Sequence, residues 1–396
     1  MHELKARQIR FRPTAEQSRR PTPATHPAAD CRHYRGDQAC QRCATCAGCD
    51  QYEPVKYRVC IMKSMPLAQL LQSLVILPEL QRRFGSVQVT WVTSPDAVSF
   101  LQHHPYVDRC LTLDSMAWLR LTQERFDLAV NLDANETSAA FLSGLFAGEK
   151  TGIGLSHLGR PIPLANQWNH LLPTLKQLTE SKITTPTYPR ILCEGLSLPW
   201  RNERYTMEVS QKQRDRMKRL LMERGYRPGI TTLGIWLSDR GFADLEPEQI
   251  ASLLGELQAR LPKTQLLLTG QVNAQRTLEA VVGSLSAMGP RPAVIVPELI
   301  SEISEIPAVV AAGDYWLTND PSAAAVSIGL GKPLFMQEGS AEQDVGEFYG
   351  LQHVLPPRMS PLAIAQQIHQ HLQSTAQFQK QKTTGLVTGQ VHQQAA

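Results

Sequence analysis

The chain has 396 residues, 42% of them hydrophobic and 19% charged, a globular composition on a length that suits two domains with extra segments. Its net charge is +4, but residues 1–60 hold 11 Lys/Arg against 6 Asp/Glu, a net of +5 that leaves about −1 for everything after them. A near-neutral body excludes a nucleic-acid-binding face as its main feature, and no apolar run reaches the roughly 20 residues that a membrane span takes.

The N-terminus, MHELKARQIRFRP, carries charge with no apolar core behind it, so no secretory signal is expected and the cytoplasm is the default location. Residues 1–30, rich in Arg, Pro, Thr and Ala without apolar periodicity, read as a disordered leader. Residues 31–54 form a Cys-rich segment holding Cys31, Cys40, Cys43, Cys46 and Cys49, the last four with two residues between neighbours. Thiolates so spaced converge on one ion, and in a cytosolic chain a metal is the natural reading. A closed, structural zinc on Cys31, Cys40, Cys46 and Cys49 is expected, with Cys43 competing for a place; no cofactor is expected for catalysis. An iron–sulfur cluster is the other metal reading, although the last gap is two residues and Asp50 follows where ferredoxin-type runs have a longer gap and Pro. No metal at all is the third. Cys60, Cys110 and Cys193 lie in or near apolar runs and read as core thiols.

Strands and helices then alternate. VCIM (59–62) is strand-like, and Leu67, Leu70, Leu71 and Leu74 give the next helix one buried stripe. Strands follow at 87–93, 110–113 and 127–132, with helices through AVSFLQHH, around Ser115–Glu124 and over Asn135–Phe146. A stretch rich in Pro, Thr and Arg, Lys182–Arg204, reads as a hinge. The second half repeats the pattern: strands at 233–238, 264–270, 292–297 and 315–320, a helix over Pro247–Arg260, and a small-residue helix in PSAAAVSIGLGKP. Such alternation predicts parallel, doubly wound sheets, whose ligands bind beyond the carboxyl ends of the strands. Residues 375–396 are Gln-rich, polar and read as a disordered tail. The expected division is 1–30, 31–54, 55–190, 191–374 and 375–396.

The stretches IMKSMPLAQLLQSL, LQRRFGSVQVTWVTSPDAVSFLQHHPYVDRCLTLD, RFDLAVNLDANETSAAFLSGLFAGEKTGIG and LTNDPSAAAVSIGLGKPLF, in that order over roughly Tyr57 to Val354, resemble the family 9 glycosyltransferases, among them the lipopolysaccharide heptosyltransferases. A leader reading C-R-H-Y-x-G-D is part of the resemblance. It implies an α/β, GT-B architecture: two Rossmann-like domains facing a cleft, behind a small Cys-rich segment. It also implies a nucleotide-diphospho-sugar of the ADP-heptose type as donor and a glycan or lipid-linked acceptor. A location peripheral to the inner face of a membrane would follow. Inverting transfer needs a base for the acceptor hydroxyl and positive charge or N–H donors for the leaving diphosphate.

The resemblance places Gln69 where the family has its Asp base and Ala68 where it has Gly. In the late motif Asp320 is kept, followed by Pro321, with Ser322 in place of Gly and Ala325 in place of His. The family's Lys after the first strand of the second half is absent from WLSDRGFADLEPEQ, and Arg240 is the nearest cation. Ser238, Arg240, Thr318, Asp320, Pro321, Ser322 and Ala323 are the expected nucleotide-sugar positions. If the chain is an active transferase, a carboxylate elsewhere has to replace Gln69, and Asp133 and Asp96 are the candidates; each also reads as a turn or cap residue. The alternative is a non-catalytic relative that binds a sugar nucleotide or serves as a scaffold.

Overall fold

The computed structural model describes residues 28–34, 40, 42, 45, 46, 48–172, 187–239, 242, 245–288, 294–337 and 349–374. They divide into two compact units, Met1–Lys56 and Tyr57–Ala396. The expected tail, nearly all of the expected leader, and Lys182–Pro186 lie outside the described residues.

In the smaller unit, contacts join residues 30–32 to residues 52–54. Cys31 forms a bridge with Pro54, Arg32 pairs with Glu53 at 3.2 Å, and the Tyr52 hydroxyl donates to Asp30 at 2.5 Å.

The larger unit holds two six-stranded sheets. The first contains β1 (Tyr57–Met62), β2 (Val87–Thr93), β3 (Arg109–Thr112), β4 (Arg125–Asn131), β5 (Phe146–Leu155) and β6 (Pro161–Pro163), in the order β3-β2-β1-β4-β5-β6. Only the β5–β6 pair is antiparallel. The second contains β7 (Thr232–Leu237), β8 (Gln265–Gly270), β9 (Val294–Ile295), β10 (Tyr315–Thr318), β11 (Leu334–Gln337) and β12 (Gln352–Leu355), all parallel, in the order β12-β11-β10-β7-β8-β9. Counted from its own first strand, each sheet reads 3-2-1-4-5-6, the doubly wound order. The chain reverses its winding between β1 and β4, and again between β7 and β10. Those two carboxyl-end crevices are where such a fold builds sites.

Around the sheets run α1 (Leu67–Ser73), α2 (Ile76–Phe84), α3 (Val98–Leu101), α4 (Ser115–Leu121), α5 (Glu136–Gly144), α6 (Tyr188–Gly195), α7 (Gln211–Glu223), α8 (Pro247–Arg260), α9 (Gln275–Ala287), α10 (Ile306–Ala312), α11 (Pro321–Gly329) and α12 over 361–374. The leucine stripe of α1 is buried, and α8 starts where Pro247 sits at its first position behind a Glu246/Gln249 capping box. Some expectations shift. The helix expected to run to Phe146 stops at Gly144, and Phe146 opens β5. The stretch read as a hinge contains α6, whose Gly195 leaves room for the Trp168 ring: a Cβ there would lie 2.3 Å from it.

One apolar cluster covers the inner side of both sheets. It runs from Leu70, Leu71 and Trp91 in the first half to Val309, Trp316, Ala324 and Ile328 in the second. At its centre α1 packs directly against α11, whose Ala323, Ala324 and Ala325 are wholly buried. Separate clusters lie on the outer side of each sheet. Among the described residues, no helix is long and apolar enough to cross a membrane.

Candidate functional site

The first crevice opens where β1 and β4 end. Their register pairs Met62 with Asn131, so Lys63 and Asp133 leave the sheet side by side. Gly152 on β5, at φ +91, permits this approach, since a Cβ there would meet the Asn131 carbonyl oxygen at 2.0 Å. Asn131 then fixes the turn: its Oδ1 accepts from the Asp133 N–H at 3.0 Å, and its Nδ2 donates to the carbonyls of Asp133 and Ile153.

Lys63 and Asp133 are both buried, and Lys63 Nζ donates to Asp133 Oδ1 at 2.9 Å. The other carboxylate oxygen accepts from the Ser64 N–H at 2.7 Å. Lys63 Nζ also donates to Gln69 Oε1 at 3.0 Å and to the Met65 carbonyl at 3.3 Å, and it stands 5.7 Å from the centre of the Tyr188 ring. Burial pulls the Lys63 pKa down, but Tyr188 and Asp133 more than offset it, and the ammonium is held above its ordinary value. Tyr188 is itself raised by burial and stays a neutral phenol at neutral pH. Asp133 is therefore the counter-charge.

Gln69, which the resemblance in sequence sets at the expected base position, is thus an acceptor held by a buried ammonium. An amide oxygen takes no proton from an alcohol at physiological pH. Asp133 is bound through both oxygens. Asp96 is exposed in the turn Pro95–Ala97 beyond β2, which touches residues 303–305 of the second half. The structure brings Gln69 and Asp133 together around Lys63 and leaves Asp96 on the surface. Sequence reading missed Lys63 and Tyr188; a lysine immediately after a buried strand was the only signal.

The second crevice lies where β7 and β10 end. Thr318 is buried, and its hydroxyl accepts from the Asp320 N–H at 2.9 Å. Asp320 caps α11: its Oδ1 accepts from the Ala323 N–H at 2.8 Å, and the Ser322 N–H bonds to it as well. Pro321 has no N–H to offer. The helix start that could have met a phosphate thus has its first donors taken by its own carboxylate. Burial raises the Asp320 pKa, the Ala323 and Ser322 N–H groups lower it, and the nearby Asp239 raises it further. Ser238 is half-buried at the end of β7, and Arg240 lies outside the described residues.

In the smaller unit Cys31, Cys40, Cys46 and Cys49 line a single cavity together with His33 and Tyr34. Cys43 lies outside the described residues. Among the described residues no three His, Cys, Asp or Glu side chains stand close enough to hold an ion together. Cys60 and Cys193 are buried and Cys110 is half-buried; burial pushes all three thiols up to about 12.

No family model matches the sequence, and no curated protein matches it significantly. Solved structures do. A glycosyl transferase of family 9 from Veillonella parvula superposes with a TM-score of 0.59 at 16% identity, over 76% of this chain and 86% of that one. The E. coli ADP-heptose LPS heptosyltransferase II gives 0.59 at 14% identity, over 81% of this chain and 99% of that one. E. coli heptosyltransferase WaaC with ADP-2-deoxy-2-fluoro heptose gives 0.50 at 15% identity, over 80% and 99%. At such identities what is shared is the chain path: this protein is built on the two-halved GT-B fold of the family 9 glycosyltransferases.

Proposed function

We propose that the chain is a glycosyltransferase-like protein that does not transfer sugar, and that its body binds a sugar nucleotide or a glycan as a sensor or scaffold. One observation carries this reading: among the described residues, the groups found at the expected base position are an amide and a carboxylate, both fastened to the buried Lys63 ammonium. The amide is no base, and both oxygens of the buried Asp133 carboxylate are already engaged, by Lys63 and by the Ser64 N–H. By the resemblance in fold, the ligands to try first are ADP-heptose-type donors and a lipid-linked or free glycan.

A second reading keeps the transferase activity and makes Asp96 the base. What favours it is the exposure of Asp96 at a strand's carboxyl end, on a turn that reaches the second half. One experiment separates the two: calorimetry of the purified chain with ADP, ADP-sugars and UDP-sugars, while transfer and hydrolysis products are followed in the same samples. Binding without product is expected. Steady turnover overturns the first reading, and its loss in Asp96→Asn would assign the base.

A structural zinc held by Cys31, Cys40, Cys46 and Cys49 belongs to the same proposal. What supports it is that the four thiols line one cavity; no three of them stand close enough to hold an ion together, so binding would have to draw them into a closed tetrahedral site. Elemental analysis should find one zinc per chain and none in the Cys46→Ser/Cys49→Ser variant, with the larger unit still folded. Equal metal in both proteins rules the site out.

A further inference from the structure

The outer side of the first sheet is thinly covered. Its core is a small cluster that includes Cys60, Met62, Ala117, Leu121, Phe141 and Leu142, and the helices above it are the seven-residue α4 and the nine-residue α5. In α4, SMAWLRL, Ala117 and Leu121 point at the sheet. Helical spacing then turns Met116, Trp118 and Leu119 to the opposite arc. They are 64%, 43% and 54% exposed. A further exposed apolar side chain lies at the corner between α5 and β5. The Trp118 indole lies over Gly144, where a Cβ would come within 2.7 Å of its Nε1, and two residues later Phe146 is 64% exposed. Three exposed large apolar side chains on one helix arc, with a fourth two residues beyond the glycine that Trp118 covers, are a feature that a monomer in bulk solvent avoids.

The rim of this patch is basic. Arg120 is exposed at the end of α4, Arg125 pairs with Phe146 in the β4–β5 ladder, and Lys150 reaches the Ser143 carbonyl at 2.8 Å. The acids beside it are engaged: Asp114 caps α4 through the Ala117 N–H, and Glu124 is bound by Arg58 and Arg109.

We propose that this face docks on an anionic lipid surface. Trp118 and Phe146 would lie at the headgroup level with Met116 and Leu119 beside them, while Arg120, Arg125 and Lys150 meet lipid phosphates. A second copy of the chain is the less suitable occupant, because a two-fold contact through this patch sets its basic rim against itself. The inference is independent of sugar-nucleotide binding.

The test is flotation of the full chain with vesicles of phosphatidylcholine alone and of phosphatidylcholine mixed with phosphatidylglycerol, without nucleotide. The wild type should float with the anionic vesicles only. Trp118→Ser/Leu119→Ser and, separately, Arg120→Glu/Arg125→Glu should each lower the bound fraction about tenfold or more. All four side chains are exposed, and circular dichroism checks that the fold is kept. The basic N-terminal 60 residues are present in every variant, so a loss belongs to this face. The proposal fails if the wild type stays in solution, or if both double variants float as it does. It also fails if Trp118→Ser/Leu119→Ser breaks a dimer in sedimentation while vesicle binding is absent.

Discussion

Removing the ammonium of Lys63 would strand the Asp133 carboxylate in a buried turn with only the Ser64 N–H for company. Breaking a buried pair in this way costs about 3–5 kcal/mol. Lys63→Met should lower the urea-unfolding free energy by that order. Lys63→Met with Asp133→Asn should recover much of the loss, because the amide still accepts from Ser64 without a charge. Equal losses in the two proteins would show that the ion pair is not what holds the turn. The pH dependence has a definite sign. A lysine whose folded pKa is raised stabilises fully below its ordinary value, and the contribution is lost only as alkaline pH passes through the raised one. Residue counting singled out Gln69. That Lys63 would bind it was not legible, because the partner that buries the lysine, Asp133, is 70 residues away.

Elements were legible where burial leaves a period. Ile250, Leu253, Leu254 and Leu257 give α8 its boundaries, since that helix packs along its whole length. The helix α7, QKQRDRMKRLLME, has only Met217 and Leu221 buried, so no stripe betrays it; its one local signal is the Ser210/Gln213 capping box. It also carries Lys212, Arg214, Arg216, Lys218 and Arg219 against Asp215 and Glu223, a local excess that the near-neutral average of the body conceals. β5 was missed because FAGEKTGIGL is broken by glycines. The helix expected through AVSFLQHH ends at Leu101 for another reason: His104 belongs to the junction beyond it. Its Nδ1 accepts from the Tyr106 N–H at 3.3 Å, and the ring bonds to the backbone of Thr206, beyond α6. Burial lowers its pKa from 6.5 to about 4, against a weaker opposing effect of the Thr206 bond. Between those values the unfolded chain binds more protons than the folded one. Stability should therefore fall as pH drops through that window, by about 3 kcal/mol for a shift of this size. Urea titrations from neutral to acid pH should show the slope, and His104→Gln should flatten it; an unchanged slope would place the titration elsewhere.

For the whole molecule, the alternation of strands and helices was enough to read two doubly wound halves, and the matching strand orders of the two sheets bear that out. The candidate site was legible only by position. Lys63, Gln69 and Asp133 meet through a parallel crossover, and Asp320 takes up its own helix's donors; no spacing in the sequence states either fact. Nor did the alanines of α11 announce their partner. Ala323 was expected among the nucleotide-sugar positions, and in the structure Ala323, Ala324 and Ala325 are wholly buried in the helix that packs against α1. That contact fixes an order of events during synthesis. The apolar side of α1 emerges from the ribosome roughly 250 residues before α11 does, so the first half is made with part of its core uncovered. Contacts of such long sequence separation form late and slowly. The nascent first half keeps that apolar side uncovered until the small-residue helix arrives to close it.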